Sequence, residues 1–376
     1  MSRSIAVFIP LLGIPGEQIG GAKCTAIKLA KGLALNGYPT DLVVFNSQNL
    51  LQDEISQSVH LVSLKTRGWS DAFFKLKDYI QRNNPSVILA QDNRAAMLAV
   101  FVRGLTKAPT KIIITIHTTL SQRWSDLSTP RRLLMPKIVR PFLLRTDAVV
   151  AVSNAAAEDL VSLLHLPKNL VRIIYNPIIS EDIFIKAKEE PVLPWFTDNE
   201  PPVVLGVGRL SREKDFETLL KAFALVRAKR CARLVILGEG KMRHALEGLA
   251  KELSIDQDVM MPGAVENPFP YMLRAAVFVL SSLYEGLPSV LVEALALGTP
   301  VVSTDCSGGS AEILENGKWG KLVPPKDPQA MAEAVLQMLE APRKLIPHEV
   351  WRRFTVEASV KQYLALISDL DNSCPC

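Results

Sequence analysis

Two glutamates, Glu285 and Glu293, lie in the stretch EGLPSVLVEALALGTPVVSTD with seven residues between them. The apolar run VFVLSS before Glu285 predicts a buried strand, and Pro288 suits the first turn of a helix that ends near Leu297. Free N–H groups at a helix start attract anions such as phosphate. Carboxylates beside such a site predict a ligand with hydroxyls and a pyrophosphate, as in a sugar nucleotide. Two solvated or helix-capping glutamates are the alternative interpretation.

Two cations follow another predicted strand. In VGRLSREKDFETLLKAF, Arg209 comes just after the strand, and Lys214 immediately precedes a helix that begins near Asp215. Arginine can form paired bonds to phosphate oxygens and lysine acts as a point charge, so the loop suits a pyrophosphate. A surface loop with solvated cations is the alternative.

Other motifs carry less information. His117 closes the strand-like KIIITIH and is the only histidine of five at a predicted strand end, although a lone histidine is commonly structural. The LGEG after RLVILG lacks the third glycine and the ribose-binding acid of a dinucleotide fingerprint, which favours a tight turn. No Cys/His metal spacing occurs, and the Asp-x-Asp at Asp369 to Asp371 lies near the chain end. We therefore expect no metal and no cofactor, with Arg209 and Lys214 neutralising the diphosphate.

The length of 376 residues favours two domains. Short apolar runs alternate with helical segments in both halves, which predicts two doubly wound parallel-sheet domains of α/β class. We predict the first domain over residues 1–178, a proline-rich linker over 179–200, the second domain over 201–345, and a long amphipathic C-terminal helix over 346–376. The five cysteines show no paired framework, and no apolar run reaches membrane-span length, so a cytoplasmic protein is expected.

These motifs together resemble family 4 of the retaining nucleotide-sugar glycosyltransferases, which have the GT-B architecture of two facing Rossmann-like domains. The resemblance rests on Gly20 and Gly21, GRLSREKDFETLLKAF, LGEG, the EGLPSVLVEALALGTPVVSTDCSGG block and the closing amphipathic helix. It covers nearly the whole chain.

The resemblance implies roles for individual residues. Glu285 would contact the hydroxyls of the donor sugar, and Glu293 would accept from the ribose hydroxyls. Arg209 and Lys214 would bind the diphosphate, and His117 would lie near the donor sugar. The remaining implied substrate-binding residues belong to two loops: Gly20, Gly21, Gly286, Leu287, Ser289 and Val290. Two positions depart from the family pattern, because Pro288 and Asp215 stand where glycine is frequent.

The resemblance further implies retaining, metal-independent transfer of a hexose or N-acetylhexosamine from a UDP-sugar to a glycan acceptor, expected to be lipid-linked. A GDP-mannose-dependent mannosyltransferase is the nearest alternative. A sugar-nucleotide 2-epimerase shares the architecture, and a membrane-binding protein with a vestigial sugar site is the alternative from another class. The intact set of carboxylates and cations argues against a vestigial site.

Positive charge is concentrated between Arg103 and Arg145, which hold nine basic residues and one acid, Asp126. Within this range TPRRLLMPKIVRPFLLR mixes basic and apolar residues and predicts an amphipathic helix. Either its basic face is simply solvated, or it docks peripherally on an anionic membrane such as the inner face of the plasma membrane. Aromatic residues are sparse there and no recognition motif is present, so no nucleic-acid partner is expected.

Overall fold

The computed structural model describes residues 4–10, 21–46, 58–125, 127–197 and 199–372. Gly20 lies outside them. The chain divides into two compact units, of which the first combines Met1–Pro177 with Phe354–Cys376 and the second is Ile178–Arg353. No helix in the described ranges is both long enough and apolar enough to cross a bilayer.

The first unit contains a seven-stranded sheet with the order β3-β2-β1-β4-β5-β6-β7, in which all neighbours are parallel. Its strands are β1 Ile5–Ile9, β2 Thr40–Val44, β3 Val59–Ser63, β4 Val87–Ala90, β5 Lys111–Ile116, β6 Ala148–Ala151 and β7 Val171–Ile173. Its connecting helices are α1 Gly21–Leu35, α2 Trp69–Asn83, α3 Asn93–Thr106, α4 Leu120–Ser125, α5 Thr129–Leu143 and α6 Asn154–Leu164.

Both faces of this sheet are covered. Ala6 and Phe8 of β1 belong to the core cluster on one face, and Val7 and Ile9 belong to the cluster on the other. A strand buried on both faces needs a continuous apolar run, which is why IAVFI lacks the alternation of a half-exposed strand.

The second unit repeats the plan with the parallel order β10-β9-β8-β11-β12-β13. Its strands are β8 Val203–Val207, β9 Arg233–Leu237, β10 Val259–Gly263, β11 Val277–Leu280, β12 Val301–Thr304 and β13 Lys321–Val323. Its α-helices are α7 Glu181–Lys186, α8 Phe216–Lys229, α9 Arg243–Glu252, α10 Phe269–Arg274, α11 Ser289–Ala296, α12 Ser310–Ile313, α13 Pro328–Glu340 and α14 His348–Arg352. Single 3₁₀ turns span Pro194–Phe196, Arg212–Lys214 and Asp256–Asp258. The predicted fold class of two doubly wound parallel sheets is confirmed.

The prediction of one long C-terminal helix is wrong. After α14 the chain turns, and a separate helix, α15 (Val356–Asn372), begins at Thr355, whose Oγ1 accepts a hydrogen bond from the N–H of Ala358 at 3.2 Å. A threonine that satisfies a first-turn N–H is a favoured N-cap. Val360 and Tyr363 of α15 pack in the same cluster as α1, so this helix returns to the first unit.

Residues 179–200, predicted as a linker, belong to the second unit. Ile179 and Ile183 are buried, and the Lys186 carbonyl accepts a hydrogen bond from Asn267 Nδ2 at 3.0 Å. The N–H of Val192 donates to Tyr271 Oη at 3.2 Å. The prolines of this segment therefore shape a packed connection, and the structural boundary falls between Pro177 and Ile178.

Candidate functional site

In the second unit the strand order reverses between β8 and β11. Ligands of open α/β sheets bind beyond the carboxyl ends of the strands at such a reversal. Arg209 lies just past the end of β8, and Glu285 lies in the loop between β11 and α11. Two predicted parts of the site therefore emerge at one edge of the sheet.

Glu285 and Lys214 form an ion pair. Lys214 Nζ lies 2.5 Å from Glu285 Oε1, and the side chains are 20% and 13% exposed. Ser282 Oγ donates to the same oxygen at 2.7 Å. Among the described residues both bonds end on Oε1, so Oε2 is the oxygen available to a ligand hydroxyl. The lysine that was predicted to bind phosphate thus pairs with the carboxylate that was predicted to contact the sugar.

Backbone contacts fix the two loops against each other. Ser281 Oγ donates to the Lys214 carbonyl at 2.7 Å, and the N–H of Leu283 donates to the Glu213 carbonyl at 2.8 Å. On the far side of Glu285, its N–H donates to the Ser307 carbonyl at 3.0 Å. Glu285 is consequently held on both sides by backbone bonds, which reduces its freedom before any ligand arrives.

Gly308 is required beside Glu285. Its φ is +140°, and a Cβ at this position would lie 2.2 Å from the Glu285 carbonyl oxygen. That separation is far inside van der Waals contact, so a larger residue would displace the Glu285 loop. The Ser-Gly-Gly after Cys306 therefore packs against the carboxylate loop.

Arg209 is exposed, and its guanidinium makes no hydrogen bond or ion pair to any residue that the structure describes. The LGEG segment contacts the loop that carries Arg209, because the N–H of Leu210 donates to the Glu239 carbonyl at 2.8 Å. A Cβ on Gly238 would lie 1.9 Å from the Gly208 carbonyl oxygen. The first glycine of this segment is thus needed for close contact between two loops, and the segment supports the position of Arg209.

Asp215, where the family often has glycine, adopts a left-handed conformation with φ +45° and ψ +46°. Aspartate tolerates this region better than most residues with a side chain. Its Oδ2 accepts a hydrogen bond from Thr218 Oγ1 at 2.7 Å, and burial raises the pKa of the carboxyl. Asp215 therefore adopts the left-handed backbone conformation that a glycine would allow after Lys214.

The start of α11 carries the predicted amide donors. The N–H groups of Leu291 and Val292 both donate to the Pro288 carbonyl, at 3.1 and 3.3 Å. Ser289 and Val290 precede them in the first turn, where N–H groups have no acceptor within the helix. Leu287 and Gly286 are buried in the approach to this turn, and Glu293 lies partly exposed on the helix. The predicted turn and helix positions of Glu285 and Glu293 agree with the structure.

Cys306 lies beside this loop and was not singled out from the sequence. Its Sγ is 3.8 Å from Ser310 Oγ. Burial raises the pKa of its thiol, and the negative charge of Glu285 raises it further. The thiol is therefore protonated near neutral pH and adds no charge beside Glu285.

In the first unit His117 lies directly after β5, one strand beyond the reversal between β1 and β4. Its Nε2 lies 3.2 Å from Gln91 Oε1, and Gln91 directly follows the neighbouring β4. Burial lowers the pKa of His117 to about 4, so the ring is neutral near pH 7. Because Gln91 Oε1 can only accept, the ring proton lies on Nε2 and Nδ1 is an acceptor. Nδ1 is buried and makes no hydrogen bond of ordinary geometry to a described residue, while the nearby Asn176 side chain raises the pKa of His117 against the larger effect of burial.

A chain of polar groups connects His117 with α15. Gln91 Nε2 donates to Thr115 Oγ1 at 3.4 Å, and Thr115 Oγ1 lies 2.8 Å from Tyr363 Oη. Gln91, Thr115 and Tyr363 are buried, and burial raises the pKa of Tyr363 to about 12. The phenol thus stays neutral, and the C-terminal helix contributes to the orientation of the histidine.

The sequence analysis missed the groups that hold the predicted residues in place. Ser281 and Ser282 were visible as two serines ending an apolar strand, a weak signal of a strand-end site. Gln91 and Tyr363 gave no signal, because they lie 26 and 248 positions from the residues they contact. The predicted meeting of His117 with Glu285 stays a prediction. The described residues contain no group of three or more His, Cys, Asp or Glu able to hold a metal.

Comparison with protein families gives two matches. Residues 19–182 match the model described as Glycosyltransferase Family 4, and residues 191–352 match the model described as Glycosyl transferases group 1. The two models together span the sheet-end residues of both units.

A similar curated protein is the N-acetylgalactosamine-N,N'-diacetylbacillosaminyl-diphospho-undecaprenol 4-alpha-N-acetylgalactosaminyltransferase of Campylobacter jejuni. The two are 32% identical over 225 residues, which is 57% of this chain and 60% of that enzyme's length. The match thus spans well under two thirds of the relative.

Solved structures match over nearly the whole chain. Sucrose-phosphate synthase from Thermosynechococcus elongatus has a TM-score of 0.83 at 22% identity, covering 99% of this chain and 100% of that one. Anabaena HepE in complex with UDP and glucose has a TM-score of 0.76 at 18% identity, covering 98% and 100%. At such identities the likeness establishes the fold alone.

Proposed function

Because the chain belongs to family 4 of the glycosyltransferases, with the GT-B fold, we propose that it transfers a sugar from a nucleotide donor to a glycan acceptor in glycoconjugate synthesis. The observation that carries this proposal is the Lys214–Glu285 ion pair beside the start of α11, with the exposed Arg209 on the same loop as Lys214. A carboxylate for sugar hydroxyls lies next to cations and amides for a diphosphate.

The donor is a UDP-sugar carrying a hexose or N-acetylhexosamine. Support comes from HepE, which was solved with UDP, and from the name of the Campylobacter relative, an N-acetylgalactosaminyltransferase. That relative's name also describes a diphospho-undecaprenol acceptor, which supports a lipid-linked acceptor here. The enzyme would then work at a membrane surface as a peripheral protein.

The reaction retains anomeric configuration. The bond between the anomeric carbon and the diphosphate oxygen breaks, and the acceptor hydroxyl forms its bond on the same face while its proton passes to the departing phosphate. Arg209, Lys214 and the amides of Ser289 and Val290 stabilise the charge that develops on the leaving group. Glu285 orients the sugar by accepting from its hydroxyls, and no metal is required.

A donor panel tests the proposal. The protein is incubated with UDP- and GDP-sugars in the presence of a chelator, and slow hydrolysis and the anomer released are followed by NMR. Release of UDP with retained configuration is expected. Preference for GDP-mannose would show that the donor is a GDP-sugar. Formation of an epimerised sugar without an acceptor would show that the protein is a 2-epimerase and not a transferase.

A further inference from the structure

Three neighbouring helices of the first unit leave large apolar side chains exposed. Trp69 and Phe74 of α2 are 45% and 64% exposed, and Phe101 of α3 is 57% exposed. Leu133 and Leu134 of α5 are 67% and 52% exposed. Single exposed apolar residues are ordinary, whereas several from adjacent helices form a patch that needs an explanation.

The aromatic side chains of α2 and α3 form one continuous surface. The ring of Phe73 lies 5.2 Å from that of Phe74 and 5.5 Å from that of Phe101, measured between centroids. An open groove of about 630 Å³ runs between the helices. Seven apolar side chains line most of it: Trp69, Phe73, Phe74, Met97, Leu98, Phe101 and Phe142. We call this surface the aromatic groove.

Positive charge surrounds the aromatic groove. Helices α2, α3 and α5 carry nine lysines and arginines and two aspartates. Both aspartates are already paired within α2, Asp71 with Lys75 at 3.0 Å and Asp78 with Arg82 at 2.8 Å. The acidic charge of this face is therefore neutralised locally, and the excess is basic.

Several of the cations are available to a partner. Arg94 lines the groove, and the exposed side chains of Arg131, Arg132 and Lys137 make no hydrogen bond or ion pair to described residues. On α5 the spacing of Arg131, Leu134, Ile138 and Phe142 places them along one helix face that leads into the groove. Cations and apolar side chains thus share one surface.

The membrane prediction from the sequence rested on the basic residues between Arg103 and Arg145, and the structure shows that some of them are engaged in internal contacts. Of the nine basic residues between Arg103 and Arg145, Arg103 is paired with Asp147, and Lys111 contacts Asp371 at 3.7 Å. Arg140 Nε donates to the Leu164 carbonyl at 2.9 Å. These three are engaged within the unit, and the apolar part of the surface comes mainly from α2 and α3, outside that range.

We propose that the aromatic groove docks on an anionic lipid bilayer, with Trp69, Phe74 and Phe101 inserted among the acyl chains; this rests on the proposed lipid-linked acceptor. Aromatic rings combined with unpaired cations fit an interface of acyl chains and phosphates. A self-association surface would have no use for an uncompensated excess of like charge, because two copies would repel each other.

Vesicle flotation tests the proposal. Wild type should float with mixed phosphatidylglycerol–phosphatidylcholine vesicles, and the pair Phe74→Ser with Phe101→Ser should weaken this binding at least about tenfold, since two large apolar side chains lose their burial. The control pair, Ile185→Ser with Val192→Ser, removes two apolar residues of the second unit that are more exposed than Phe74 and Phe101, and should bind like wild type. Arg131→Gln with Arg132→Gln should weaken binding and reduce its salt dependence.

Tryptophan fluorescence reports insertion directly. Brominated acyl chains should quench part of the emission of the wild type, and Trp69→Phe should remove that part. Equal flotation of the groove pair and the control pair, or equal binding to neutral vesicles, would overturn the proposal. The proposal would also be overturned if sedimentation showed that the wild type is a dimer and that the groove substitutions dissociate it. UDP and GDP binding are measured on the same samples. Nucleotide binding that persists without vesicle binding refutes the docking surface alone, and the absence of binding to both nucleotides refutes the proposed function.

Discussion

The loops at the carboxyl ends of the two sheets differ in the kind of polar group they present. In the second unit the groups are charged, because Lys214 pairs with Glu285 while Arg209 lies exposed beside them. In the first unit the groups are neutral, because burial keeps His117 uncharged and Gln91, Thr115 and Tyr363 orient it. The strand-end loops thus carry charged groups in the second unit and neutral, mutually bonded polar groups in the first.

The difference extends to how each site is held. In the second unit the support is largely local to neighbouring loops, through Ser281, Ser282 and the close approach of Gly308. In the first unit it includes the last helix of the chain, through Tyr363. Substitutions in the second unit should therefore change turnover, and those in the first should mainly change stability and orientation.

The largest effect is expected for the cations of the second unit. Arg209→Met or Lys214→Met should lower turnover about a hundredfold, the effect of losing one preorganised donor to developing charge. Steady-state kinetics with the donor identified from the panel measures it. Arg212→Met and Lys221→Met, which change exposed cations nearby, serve as controls and should remain within about twofold. Near wild-type turnover in both Arg209→Met and Lys214→Met would contradict the proposal that these cations of the second unit stabilise the leaving group.

A smaller effect is expected from the pH dependence of stability at His117. The unfolded histidine has its ordinary pKa of about 6.5 and the folded one a pKa of about 4, so the unfolded chain binds more protons between these values. This contribution is complete above pH 6.5 and is lost as the pH falls toward 4. Between pH 7 and 4.5 the wild type should lose about 2 kcal/mol more unfolding free energy than His117→Gln. Urea unfolding at the two pH values measures this, and equal losses in both proteins would show that His117 is not buried neutral.

The smallest effect is expected for Tyr363→Phe. Removing the hydroxyl takes away one of the two buried partners of Thr115, leaving Gln91, and should cost about 1 kcal/mol of stability. Tyr363 is a positioning residue, so the nitrogen chemical shifts of His117 should also move toward a mixture of tautomers. Tyr79→Phe, which removes another buried hydroxyl of the first unit, is the control for stability. Unchanged nitrogen chemical shifts of His117 in Tyr363→Phe would show that the C-terminal helix does not orient the histidine.

The sequence was sufficient for the strands, because strands buried on both faces must be continuous apolar runs such as VVLGV and VFVL. It was sufficient for the start of α11, because Pro288 suits a helix start. The break before α15 was also present in it, since Thr355 is a suitable N-cap, but the apolar periodicity on both sides concealed it.

Other features depend on tertiary contact. The pairing of Lys214 with Glu285 joins residues 71 positions apart, and no local pattern encodes it. The packed course of residues 179–200 was concealed by their prolines, because proline is typical both of linkers and of ordered turns. The need for Gly238 became apparent only from the Gly208 carbonyl that it approaches.

The central claim is that Arg209, Lys214 and the start of α11 bind a diphosphate. Calorimetric titration of UDP and of uridine into the wild type and Arg209→Met tests it most directly, because the two ligands differ only in the diphosphate. We predict that the wild type binds UDP much more tightly than uridine, and that Arg209→Met loses about tenfold of UDP affinity without change for uridine. Equal affinity of the wild type for both ligands, or an undiminished difference in Arg209→Met, would contradict the account.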